Sequence, residues 1–256
     1  MFALTDHLLH PVGDALPRDV DARTAAALLE RGSACHAPVN GAVYGTLLND
    51  RAALDALGDA VNAAPYKAPP RAPILYLKPR NTLAGHRAHV VVPDHTGVEV
   101  GASLGIVIGS TATRVSIEQA FDYIAGFTIV ADLSVPHASV YRPSVRFRAR
   151  DNFCVVGPAV VAARHVALPD ELAITVTLSG QRSFIANTST CVRKVARLLV
   201  DVTDFMTLSP GDVLTLGVPH ASPVAHAGDT AILSIGALPP LSVSFIGMQD
   251  ATGEQP

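Results

Sequence analysis

Asp132 stands at the end of an apolar run, Phe127 to Val130. A carboxylate delivered by the end of a strand can hold a cation or handle a proton. Glu99 sits in a second apolar run, at the odd-numbered positions that carry Gly97, Gly101, Ser103, Gly105, Val107 and Gly109. Arg142, Arg146, Arg148 and Arg150 share parity within YRPSVRFRAR, so in an extended segment they line one face. A guanidinium stays protonated at any working pH, so Arg148 can grip a carboxylate in a two-pronged fork but cannot act as a base. The same arginines also fit a solvated edge that blunts strand pairing. His86, His89 and His95 invite a metal, but no carboxylate stands at helical or strand spacing to complete a site, and solvated loop histidines are the expectation.

These side chains need elements to position them. Val98, Val100, Ala102, Leu104, Ile106 and Ile108 alternate with the odd-numbered set, which predicts a strand with an apolar core face. The other face, rich in glycine, is expected to be open to close approach. A short helix is expected next, with Ser116 as N-cap, Ile117, Ala120, Phe121 and Ile124 at helical spacing and Gly126 as its end. Phe127 to Val130 then forms the strand that delivers Asp132. Downstream, Ile174, Val176 and Leu178 alternate, and Ser183 to Ile185 returns as a hairpin. Val195, Leu198, Leu199, Val202 and Met206 mark a helix face. Pro210-Gly211-Asp212 turns into a strand over 213–216, and strands over 230–235 and 241–246 close the body. Upstream, Ile74 to Leu77 is a strand ending at Lys78-Pro79. The N-terminal 40 residues form a separate extension, a helix over 19–31 plus a linker. The body runs over 41–250, and residues 251–256 are a frayed tail.

Composition narrows the function. The chain has 256 residues, 49% of them hydrophobic but only 5% aromatic, with no Trp, so its core is aliphatic. A net charge of −3 without a basic run argues against nucleic acid. Cys35, Cys154 and Cys191 are an odd count with no CxxC pair. That favours buried thiols in a reducing compartment over disulfides or zinc. The start lacks a basic, then apolar, leader, and no stretch reaches the ~20 apolar residues of a membrane helix. A cytoplasmic protein is expected, with no membrane partner.

Five segments, LKPRNTLAG (77–85), the strand–helix–strand above, FCVVGP (153–158), DFMTLSPGDVLTLGVP (204–219) and AGDTAILSIGALPPL (227–241), resemble the fumarylacetoacetate hydrolase family over roughly residues 40 to 250. The block APYKAPPRAPILYLKPRN (64–81) points to its isomerase/decarboxylase branch, whose fused members join two such halves; this chain resembles the first.

The resemblance implies an α+β, β-rich fold, a mixed β-roll with peripheral helices. It implies an isomerase/decarboxylase subunit acting on an unsaturated oxo-carboxylic acid in aromatic (4-hydroxyphenylacetate) catabolism. It also implies a small carboxylic acid as ligand, a homodimer or a pair with a homologous subunit, and Mg²⁺ or Mn²⁺. The family's metal is held by two Glu one residue apart and an Asp. Gly101 and Ser103 occupy the Glu positions here, Asp132 is kept, and Glu99 lies two residues early. Asp132 with Glu99 is thus the metal set this chain offers. Arg148 occupies the position of the active-site Lys, and Tyr141-Arg142 that of a segment meeting substrate carboxylates. Arg148 and Asp132 are the catalytic candidates, and Tyr141 and Arg142 the substrate-binding ones. Ala53 and Ala56 stand where hydrolytic members carry a His–Glu pair, so that form of water activation is not expected. The hydroxyl-bearing loop TGTP reads Leu216-Gly217-Val218-Pro219. Two further readings follow from these losses: a degraded subunit that supports an intact partner, and an acid-binding protein without turnover.

Overall fold

Long alternating runs of Val, Ile and Ala make strands, and the longest two carry the fold. The computed structural model describes residues 2–5, 8–11, 37–137, 144–179 and 183–251. In chain order the strands are β1 (Phe2–Thr5), β2 (Leu8–Pro11), β3 (Val43–Leu47), β4 (Ile74–Lys78), β5 (Leu83–Ala84), β6 (Ala88–Val91), β7 (Val98–Ile108), β8 (Ile124–Ser134), β9 (Cys154–Ala162), β10 (Ala173–Leu178), β11 (Phe184–Asn187), β12 (Val213–Thr215), β13 (Val224–Ala225), β14 (Thr230–Ile235) and β15 (Leu241–Ile246). One sheet runs β4-β3-β12-β7-β8-β9-β5, with β13 added to β7, and a second runs β11-β10-β14-β15-β6. β1 and β2 pair as a separate antiparallel ribbon. The pairings β12–β3, β15–β6 and β5–β9 are parallel and the others antiparallel, so the body is the expected mixed, β-rich fold.

β7 and β8 form the long central pair, with Gly101 directly opposite Asp132. Their apolar faces meet in one core: Val98, Val100, Leu104, Ile106 and Ile108 of β7 with Phe127, Ile129 and Leu133 of β8, against Ile174, Val176, Leu233 and Val243 of the second sheet. The opposite face is not open. Val107, Val130, Val213, Val43 and Val156 fill it as a second core, and Gly105 lies against Val130, Thr128 and Val213. Glycine there admits neighbouring strands of this chain, because β12 and β8 flank β7 and their valines occupy the space.

The expected helix after β7 shortens to a 3-10 turn, Ala120–Tyr123. Ile117 and Phe121 stay exposed and only Ala120 and Ile124 are buried, so no helix face has a core to pack on. β8 begins at Ile124, and Gly126 lies within it, tight against the backbone of Val161. Asp132 consequently stands inside β8 rather than at its end. The helix Val195–Thr203 forms as its period predicts, burying Val195, Leu198, Leu199 and Val202; Met206 lies beyond it. The turn Ser209–Asp212 closes through Gly211 at φ +90, a conformation glycine adopts without strain. The helix expected over 19–31 and residues 252–256 of the expected tail 251–256 lie outside the described residues, while Ala251 ends a short helix, Met248–Ala251.

His86, just before β6, is buried rather than solvated, and its Nδ1 accepts the Ser242 N–H at 3.2 Å. Burial, with Arg87 nearby, lowers its pKa to about 4 from 6.5. The fold therefore holds this imidazole neutral, and its contribution is complete above 6.5 and lost as pH falls toward 4. Urea midpoints of the wild-type chain should fall across that window more steeply than those of His86→Leu. Equal slopes in the two proteins would exclude His86 as the source.

Candidate functional site

On β4, Tyr76 and Lys78 are two residues apart and so emerge on one face, toward β8. Lys78 is buried, with Nζ 2.6 Å from Asp132 Oδ1. It also donates to the carbonyls of Leu133 (2.9 Å), Phe153 (2.9 Å) and Arg148 (3.3 Å). The Tyr76 hydroxyl donates to Asp132 Oδ2 and accepts from Arg148 Nη1 at 3.2 Å. The Arg148 guanidinium lies over the Tyr76 ring, 4.7 Å from its centroid, with Nη1 3.6 Å from Asp132 Oδ1. A buried carboxylate is thus ringed by an ammonium, a guanidinium and a phenol. Burial alone would raise the Asp132 pKa, but the charges of Lys78 and Arg148 and the two hydrogen bonds outweigh it and hold the carboxyl below its ordinary value. Burial first, and then Asp132, push the Tyr76 phenol well above 10.

Arg148 reaches this cluster because residues 145–148 form a short helix, not the extended run that shared parity required. Four residues of helix turn Arg146 and Arg148 apart. Arg146 faces outward beside the Phe147 ring, and Arg148 turns in, 8% exposed. Arg150 is exposed. The common arginine face does not exist over the described part of this segment, and Tyr141 and Arg142 lie outside the described residues.

One edge of the cluster borders a cavity of about 140 Å³ lined by Thr46, Ala53, Glu99, Asp132, Arg148 and His220, among others. Nε of Arg148 is buried and has no hydrogen-bond partner. Glu99 and Asp132 both line this cavity; Glu99 pairs with Ser134 across the strands, two residues from the Gly101–Asp132 pair. The loop after β12 lines the cavity with Val218, Pro219 and His220. Gly217, at φ +106, donates its N–H to Ser103 Oγ (3.1 Å) and accepts the Ser103 hydroxyl at its carbonyl (2.8 Å). Val218 Cγ1 stands 2.5 Å from where a Cβ on Gly101 would lie.

These residues do not fit a Mg²⁺ or Mn²⁺ ion. Such an ion needs one or two well-placed carboxylates besides water and substrate oxygens. Gly101 offers no ligand, and Val218 fills the space its side chain would need. The Ser103 hydroxyl is bonded to the Gly217 backbone, and the Asp132 oxygens face Lys78, Arg148 and Tyr76. Among the described residues, no three His, Cys, Asp or Glu side chains gather as a metal set, so His86, His89 and His95 do not form one either.

Sequence reasoning missed Tyr76, Lys78 and His220. The i, i+2 pair on a short strand was the available signal for the first two; nothing in the local sequence marks His220. The thiols of Cys154 and Cys191 are buried, which pushes both up to about 12 and makes them inert neighbours of the site. No helix among the described residues is long and apolar enough to cross a membrane.

Known proteins share this architecture. Residues 42–245 match the family described as fumarylacetoacetate (FAA) hydrolase, C-terminal. The 4-hydroxyphenylacetate degradation bifunctional isomerase/decarboxylase of Escherichia coli is 35% identical over 84% of this chain and 49% of its own length. The homoprotocatechuate catabolism bifunctional isomerase/decarboxylase of the same species is 34% identical over the same shares, 84% and 49%. The chain therefore spans about half the length of these curated relatives. Among solved structures, the 5-carboxymethyl-2-hydroxymuconate delta-isomerase of Mycobacterium smegmatis superposes with TM-score 0.70 at 25% identity, covering 83% of this chain and 81% of that one. A maleylpyruvate hydrolase from a Sphingobium species, solved with manganese(II) and pyruvate, superposes at 0.66 with 25% identity over 80% and 70%. The match over residues 42–245, across the β-rich body, makes this chain a member of the fumarylacetoacetate hydrolase family.

Proposed function

We propose that this chain is an isomerase/decarboxylase subunit of aromatic catabolism that acts on an unsaturated oxo-carboxylic acid in the cytoplasm and does so without a bound divalent ion. The observation that carries the reading is Arg148, which lines the cavity and whose Nε is buried without a hydrogen-bond partner. A desolvated guanidinium nitrogen without an acceptor is costly to leave unpaired. A substrate carboxylate supplies the acceptor and the opposite charge together. Asp132, Lys78 and Tyr76 hold the guanidinium in place, so its donors are aimed before the substrate arrives. Pyruvate-sized acids suit a cavity of about 140 Å³.

The missing carboxylates favour a second reading, a subunit whose chemistry is completed by a homologous partner. The curated relatives are about twice as long as the matched region, consistent with two such units working together. Ile74 and Leu77 on the edge strand β4 are exposed, which suits an apolar contact between units.

Solution mass by light scattering and loss of the substrate's ultraviolet absorbance, with and without an intact homologue, test both readings. The enzyme reading expects turnover by the chain alone, unaffected by EDTA. Turnover only when the homologue is added supports the partner reading, and a monomer with no turnover in either mixture removes both.

A further inference from the structure

We infer that His220, on the loop after β12, is the proton-carrying group of this site. The inference rests on the acid-binding reading of Arg148 and adds the base that reading lacks.

Moving a double bond next to a keto acid requires a group that takes a proton from one carbon and returns it to another. Such a group works best when it titrates near neutral pH. Ala53 and Ala56 cannot do this, and Arg148 remains charged. Asp132 is held as the anion by Lys78 and Arg148, and the Tyr76 phenol is buried and bonded to Asp132. Among the described residues lining the cavity, the side chains left to exchange protons are Glu99 on β7 and His220. Imidazole is the one whose ordinary range lies near neutrality.

The backbone of this loop is tied down, while the His220 side chain is exposed at the cavity. The backbone N–H of His220 donates to Asp50 Oδ2 at 2.9 Å, and Asp50 Oδ1 accepts the Thr190 hydroxyl at 2.7 Å. Asp50 is the N-cap residue of the helix Arg51–Asp55, which carries Ala53. One carboxylate therefore ties the His220 loop to the start of the helix where hydrolytic relatives place their histidine. Ala53 and His220 line the same cavity, so the small side chain leaves the room that the imidazole's loop borders. The charged groups facing that space are Glu99 from β7, Asp132 from β8, Arg148 from the helix 145–148 and, through the backbone bond, Asp50.

The step balances without a co-reactant. The neutral imidazole takes a proton from the carbon beside the substrate's keto group, and the C–H electron pair becomes the enolate, whose carboxylate Arg148 grips. The imidazolium then returns the proton at the far end of the conjugated system, moving the double bond and restoring neutral His220.

Pyruvate in D₂O tests this, because enolisation exchanges its methyl protons for deuterium and binding can be followed separately by ligand NMR. The full wild-type chain should bind pyruvate and exchange it with a rate that falls at acidic pH. His220→Gln should retain binding and lose about 10²–10⁴ in exchange rate, the range general-base catalysis supplies. His220→Ala should recover exchange on addition of imidazole, and Ala53→His in the His220→Gln background should recover it without imidazole. Undiminished exchange by His220→Gln overturns the proposal, as does wild-type binding without exchange. Absence of pyruvate binding by the wild type overturns the acid-binding reading as well.

Discussion

Replacing Asp132 by Leu lowers the free energy of unfolding by about 3–5 kcal/mol in urea denaturation, the range for removing one partner of a buried ion pair. The size follows from what stays behind. Lys78 keeps its carbonyl acceptors but loses its counter-ion, and Arg148 is left buried without a charge partner. Replacing Lys78 by Met in the same chain should recover part of the loss, since an apolar pair needs no desolvated charge. The pH dependence has a definite sign. The folded carboxyl titrates below its unfolded value of 3.8, so its stabilisation is complete above that pH and is lost as pH falls through the depressed folded value. The gap between wild type and variant should therefore narrow below pH 3.8 and not above it. A loss under about 1 kcal/mol at pH 7, the scale of exposed pairs, would show that the cluster is hydrated.

Arg148→Leu should weaken oxalate binding by about ten- to a hundred-fold, the loss of roughly 1.5–3 kcal/mol expected for a charge-assisted pair. Isothermal titration on the full chain measures it. Arg148 is also a partner of Asp132 and Tyr76, so this variant should melt earlier than wild type, unlike an exposed arginine. Arg148→Lys separates the two effects, because it retains the positive charge beside Asp132 but not the planar fork. It should keep most of the stability and still lose affinity. Equal oxalate affinity in wild type, Arg148→Leu and Arg148→Lys would leave the unpartnered Nε without a ligand role.

The strands were legible because alternation is local. The even-numbered apolar set over 98–108 defines β7 whatever surrounds it, and Ile174, Val176 and Leu178 do the same for β10. The helix over 195–203 followed from its period for the same reason. The short helix after β7 was not legible, because 117 and 121 carry apolar side chains that the packed body leaves outside. Residue types along β7 also limit the donor set, because Gly101 and Ser103 bring no carboxylate. What fills the vacated space was decided in three dimensions. The glycine face of β7 looks open in one strand, but β12, β8 and Val218 cover it.

The site itself belongs to the tertiary structure. Tyr76 and Asp132 are 56 residues apart, Tyr76 and Arg148 are 72 apart, and Asp50 and His220 are 170 apart. Parity along one segment placed Arg148 in a row of arginines that fitted either a carboxylate-binding face or a solvated edge. A four-residue helix and the neighbouring strand β4 placed it instead against a phenol and a buried carboxylate. A sequence states which side chains are available within each strand. Which of them share one desolvated volume depends on strand pairing between distant segments, and that sharing sets Arg148 against Asp132 and Tyr76.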